Sequence, residues 1–74
     1  MAVCKFGSMF IPETSILKIL TFPTDDGNQK KVELHLINGE KYDCGKFDDL
    51  KLHTFITAIS SGGEVMANDP VLIK

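Results

Sequence analysis

Residues Lys30–Gly45 read KKVELHLINGEKYDCG. Two alternating runs meet at Asn38-Gly39, a strong short-range signal for a β-hairpin. Loop length decides which side chains share a face. A two-residue Asn38-Gly39 loop would set Ile37 opposite Glu40 and Leu34 opposite Asp43, placing apolar residues of one strand beside charges of the other. A three-residue loop Ile37-Asn38-Gly39, with Gly39 in the left-handed region as a bulge, instead pairs Leu36 with Glu40, Leu34 with Tyr42 and Val32 with Cys44. That register gathers Val32, Leu34, Tyr42 and Cys44 on one buried face. Slipping it by one residue would turn one strand over. The opposite face carries Lys31, Glu33, His35, Lys41 and Asp43 and is expected to meet solvent.

After the hairpin, Leu52, Phe55, Ile56 and Ile59 recur at i, i+3, i+4 and i+7 and predict an amphipathic helix. Asp48 is a natural N-cap, Asp49 suits the positive end of the helix, and Phe47 can staple onto Leu52. Lys51 stands where a capping box would have Glu or Gln. Gly62-Gly63 supplies a left-handed stop, so the helix is expected over about 49–60.

Ahead of the hairpin, Val3–Ile11 is rich in strand formers and predicts one bent strand, with Gly7-Ser8 as a bulge or bend. Pro12-Glu13-Thr14-Ser15 predicts a turn and Ile16–Phe22 a further strand, closed by Pro23. Beyond the helix, Glu64–Ala67 and Val71–Lys74 predict short strands flanking the turn Asn68-Asp69-Pro70. Their pattern echoes an earlier stretch, MFIPETSILK at 9–18 against VMANDPVLIK at 65–74. The same strand-turn-strand device is used twice.

The fold class these elements predict is α+β: a small, curved, barrel-like antiparallel sheet of about five or six short strands with one amphipathic helix packed on it. No linker, low-complexity tract or charge block divides the chain, so residues 1–74 are expected to form a single domain. A core of this size supplies only roughly 3–5 kcal/mol of net stability, so a partner subunit would help.

Composition narrows the function classes. The chain has 43% hydrophobic and 24% charged residues, which argues against disorder and against a coiled coil. Eight basic and 10 acidic residues leave a formal net charge of −2, which gives no electrostatic footprint for nucleic acid or anionic membrane. No run approaches the ~20 apolar residues of a spanning helix, and the N-terminus lacks a signal-type segment, so a cytoplasmic protein is expected. Cys4 and Cys44 are expected to be reduced core residues.

The motifs that might carry chemistry have plainer structural readings. Asp25-Asp26-Gly27 lacks the spacing of an EF-hand calcium loop, whose twelfth position would fall on Leu36. Ser60-Ser61-Gly62-Gly63 follows a helix and meets its negative end, whereas phosphate loops precede one. His35, His53, Cys4 and Cys44 show no paired zinc spacing, and the hairpin register turns Cys44 away from His35. No catalytic, cofactor or metal residues are therefore assigned. Leu50 lies on the helix face opposite the apolar stripe, and together with Met9 and Phe10 beside the Gly7-Ser8 bend it marks a candidate self-association surface.

The stretch VELHLINGEKYDCGKF, 32–47, resembles the first signature of Sm-like RNA-binding proteins: an alternating strand, a glycine turn, an aromatic, then a second glycine and an apolar residue. That resemblance implies a nucleic-acid-binding module. Gly45 comes one position late for the pattern, strand signals stand where that family has a helix, and a capped helix follows where it has a strand. None of the family's RNA-contacting residues has a counterpart here.

Two function classes follow. The first is a non-enzymatic accessory module, a regulator or inhibitor of the kind carried by phages and other mobile elements, binding a protein partner or small ligand as a homo-oligomer. The second is an Sm-like nucleic-acid-binding module, against which an acidic pI near 5.5 weighs.

Overall fold

The computed structural model describes residues 2–74. The hairpin is formed by β4 (Lys30–Leu36) and β5 (Lys41–Phe47). Its loop is the three-residue one: the Gly39 N–H donates to the Leu36 carbonyl at 3.0 Å, the Leu36 N–H to the Glu40 carbonyl at 2.9 Å, and Gly39 has φ 92°. The Asn38 side-chain oxygen accepts the Glu40 N–H at 2.9 Å and rigidifies the turn. Leu34 stands opposite Tyr42 as expected, and Val32, Leu34, Tyr42 and Cys44 are all buried.

One pairing differs from the expected register. Val32 faces Gly45 and not Cys44, because a bulge inserts an extra residue into β5. Gly45 takes φ 93°, and the Asp43 carboxylate accepts its N–H at 2.8 Å, so the bulge has both the glycine and the acceptor it needs. The expectation that His35 meets solvent is also corrected. His35 is 8% exposed, its Nε2 lying 3.1 Å from the Glu33 carboxylate. The reason is a third strand, β3 (Ile16–Pro23), which pairs along the whole of β4 and makes it an interior strand. His35 is thus flanked in register by Lys18 and Lys41.

With β7 (Val71–Ile73) these strands form an antiparallel sheet of order β3-β4-β5-β7. A second sheet has the order β2-β1-β6, from β1 (Val3–Phe6), β2 (Met9–Pro12) and β6 (Gly63–Met66). The single bent strand expected over Val3–Ile11 is therefore a hairpin. Gly7, at φ 64°, opens a two-residue turn that sets Phe6 opposite Met9. β6 runs parallel to β1, so the sheet is not wholly antiparallel. The α+β, strand-rich class holds, with seven strands and one helix among the described residues.

The echoed segments occupy equivalent places. β2 leads through a short 3-10 turn, Glu13–Ser15, into β3, and β6 leads through Asn68-Asp69-Pro70 into β7. Each passes from an edge of the three-stranded sheet to an edge of the four-stranded sheet, so the sheets are joined on both sides in a barrel-like closure.

The helix α1 spans Asp49–Ser61. The Asp48 carboxylate accepts the Lys51 N–H at 2.7 Å, and Gly62 and Gly63, at φ 80° and 94°, turn the chain out. Phe55 and Ile59 are buried. The Phe55 ring meets Phe6 edge-on at 6.1 Å and Phe47 at 5.0 Å. Ile56, expected in the stripe, is 42% exposed, because the stripe in contact narrows to Leu52, Phe55 and Ile59. Cys4 and Cys44 are free thiols within the core, and no helix among the described residues is long and apolar enough to cross a membrane.

Candidate binding groove

Asp48 alone separates β5 from α1, so the first half of the helix starts beside the end of β5. On its other side β5 is only partly covered. β7 pairs with it at Lys41, Tyr42 and Asp43 and stops there. The next pair would set Pro70 against Cys44, and Pro70 has no N–H while Cys44 begins the bulge. Among the described residues, therefore, no strand pairs with the backbone of Cys44–Phe47 on the side away from β4. β6 is likewise the edge of its own sheet.

Between these two strands and α1 lies a groove of about 550 Å³. Phe47, Phe55, Val65 and Met66 give it an apolar lining, Leu50 projects beside it with 76% of its surface exposed, and Lys46 and Lys51 are its charged lining residues. Cys44 also borders it. Burial, reinforced by the Asp43 charge, pushes this thiol up to about 12, so it stays neutral and unreactive at ordinary pH.

One wall is held by a clamp. The Asp69 carboxylate accepts the Ser8 N–H at 2.6 Å and the Ser8 hydroxyl at 2.8 Å, while the Gly7 N–H donates to the Met66 carbonyl at 2.9 Å. These bonds tie the β1–β2 turn to the end of β6. The hydrogen bonds from Ser8 hold the Asp69 carboxyl below the usual carboxylate range. Gly7 is required here, since a Cβ on it would run into Asp69 and the Asn68 backbone.

The three residues marked from sequence do not come together. Leu50 borders the groove, whereas Met9 and Phe10 border a second depression of about 380 Å³ beside Ile37 and Tyr42. Met9 is half-buried against the core, while Phe10 is 69% and Ile37 64% exposed. His35 lies on the opposite face of β4 from Leu34, which shares the buried face with Cys44. Among the described residues no three His, Cys, Asp or Glu side chains form a metal-binding group.

Sequence reasoning missed Lys46, Val65 and Met66 as site residues. Lys51 carried a faint signal, as the residue that spoils the capping box. What brings these residues together is the early end of β7, which no local pattern records.

Comparison with protein-family models, curated proteins and solved structures finds no match to this chain. The functional reading rests on the chemistry of the groove.

Proposed function

We propose that this chain is a small non-enzymatic binding module of regulatory or inhibitory type, cytoplasmic and homo-oligomeric, that recognises a protein partner through the α1–β5–β6 groove. The observation that supports it is the groove itself, an apolar hollow with exposed Leu50 beside it and two lysines in its lining, on a chain whose net charge is negative. Apolar lining with a few placed charges is the usual make-up of a recognition site. Self-association is assigned to the second depression, where Phe10 and Ile37 present exposed apolar surface well apart from the groove.

Native mass spectrometry of the protein purified from its own host, followed by hydrogen exchange of the recovered complex, tests the reading. A protein partner that protects amides of β5, α1 and β6 supports it. A footprint elsewhere overturns it, as does binding of single-stranded RNA at ~10 µM that weakens steeply with salt, the behaviour of the Sm-like alternative. Light scattering at ~100 µM tests the oligomer, which mass action favours at that concentration. A strict monomer refutes that part, and Phe10→Ser should shift the wild-type oligomer toward monomer.

A further inference from the structure

We propose that the occupant of this groove is an extended, acidic peptide segment that adds as a strand to the free Cys44–Phe47 edge of β5. The proposal rests on the groove being the recognition site and specifies how it recognises.

Two independent features lead there. The first is backbone chemistry. β5 continues past Asp43, the last of its residues to pair with β7, to Phe47. The bulge commits the Gly45 N–H to the Asp43 carboxylate, and among the described residues no strand pairs with the remaining backbone N–H and C=O groups of Cys44–Phe47 on the groove side. An extended chain satisfies such groups in a regular ladder, and a small molecule does not. At ~3.3 Å per residue the segment spans at most roughly 13 Å, shortened by the bulge at Cys44-Gly45, so the added strand is a short one. β7 cannot grow to fill it, because Pro70 precedes Val71.

The second is charge. Lys46 and Lys51 are among the residues lining the groove and no carboxylate is, so a segment with glutamate or aspartate gains opposite charge there while its alternate apolar side chains enter between Phe47, Phe55, Val65 and Met66. A strand presents this alternation by construction. The adjoining smaller hollow carries Asp43 and Asp69, so the segment's carboxylates belong over the lysines and not at that end.

The test uses the full chain and peptides of about six residues, the length of a short strand. One alternates valine with glutamate, a second valine with lysine, and a third is the glutamate peptide with the amides along one edge N-methylated. The glutamate peptide should bind at least about tenfold more tightly than the lysine peptide, and Lys46→Glu with Lys51→Glu should reverse that order. Both lysines are exposed, and an unchanged amide spectrum verifies that the variant folds. Binding should slow hydrogen exchange of those Cys44–Phe47 amides that point away from β4. Methylation of the pairing edge should weaken binding about tenfold, and methylation of the opposite edge should not.

Binding without protection of those amides, or binding of dodecanoate as tightly as the peptide, overturns strand addition while leaving the groove as the recognition site. Equal affinity for the glutamate and lysine peptides overturns the charge assignment. Groove amides protected in the free protein at high concentration and released on dilution would mean that a second copy covers the groove. That result overturns this proposal and the protein-partner reading together.

Discussion

The corners that join the two sheets use the same device and end differently. At the β2–β3 corner the 3-10 turn is sealed by the Ile37 N–H donating to the Ser15 carbonyl at 2.9 Å, and β3 then pairs with β4 from Ile16 opposite Leu36 to Pro23 opposite Lys30. At the β6–β7 corner the returning strand has three residues and covers less than half of β5. The first corner is sealed by that bond and a full-length strand pairing, with the smaller depression beside it, and the second opens on the larger groove. In this fold a groove arises where a strand ends early, which takes one proline and one bulge and no special motif.

The largest expected effect falls on the wall shared by groove and core. Phe55→Ala should destabilise the protein by about 3–5 kcal/mol, comparable with the whole stability of so small a domain, so urea titration should find the variant largely unfolded. Gly7→Ala comes next, because it adds a clash with Asp69 to the strain of a positive φ. It should cost more than Gly39→Ala, where a Cβ meets nothing and the φ of 92° alone costs on the order of 1–2 kcal/mol. Equal losses in the two variants, measured by the same titration, would mean that the Gly7–Asp69 contact does not hold the open corner.

Acid should loosen the open corner before the sealed one. The Asp69 carboxyl titrates lower in the folded chain than in the unfolded chain, so its contribution is present above the unfolded value and is lost as pH falls through the folded one, below about pH 4. Hydrogen exchange at decreasing pH should therefore show β6 and the Gly7-Ser8 turn opening ahead of β3. Asp69→Asn should remove that ordering. The smallest effect on stability is expected at Leu50, where Leu50→Ser should change the unfolding free energy by no more than about 0.5 kcal/mol, since the side chain lies in solvent. The same variant should weaken peptide binding, and a variant that binds normally would detach Leu50 from the site.

Turn and cap chemistry made much of this fold legible from sequence. Asn38-Gly39 located the turn and the apolar pattern of its two strands selected the three-residue loop, while Asp48 and Gly62-Gly63 bounded the helix to within one residue of its observed end. Ile16–Phe22 was legible as a strand from its β-branched residues and its closing proline. Gly45 was less so: its glycine was visible, but a bulge is defined against a partner strand, and the Asp43 carboxylate that secures it acts through the folded backbone. Of the candidate surface, Leu50 was found from helical geometry and lies beside the groove. Met9 borders the second depression with Phe10, and its half-burial against the core follows from a hairpin where a bent strand was expected.

What the sequence by itself determined is local: which segments extend, where they turn, where the helix starts and stops, and which side of the hairpin is apolar. These follow from dihedral preferences and side-chain periodicity within a few residues. Only the tertiary structure decided that β3 would bury His35, that β6 would run parallel to β1, and that β7 would leave the end of β5 unpaired. Each of those depends on strands far apart in the chain meeting in one register, and the groove exists because one such meeting ends three residues after it begins.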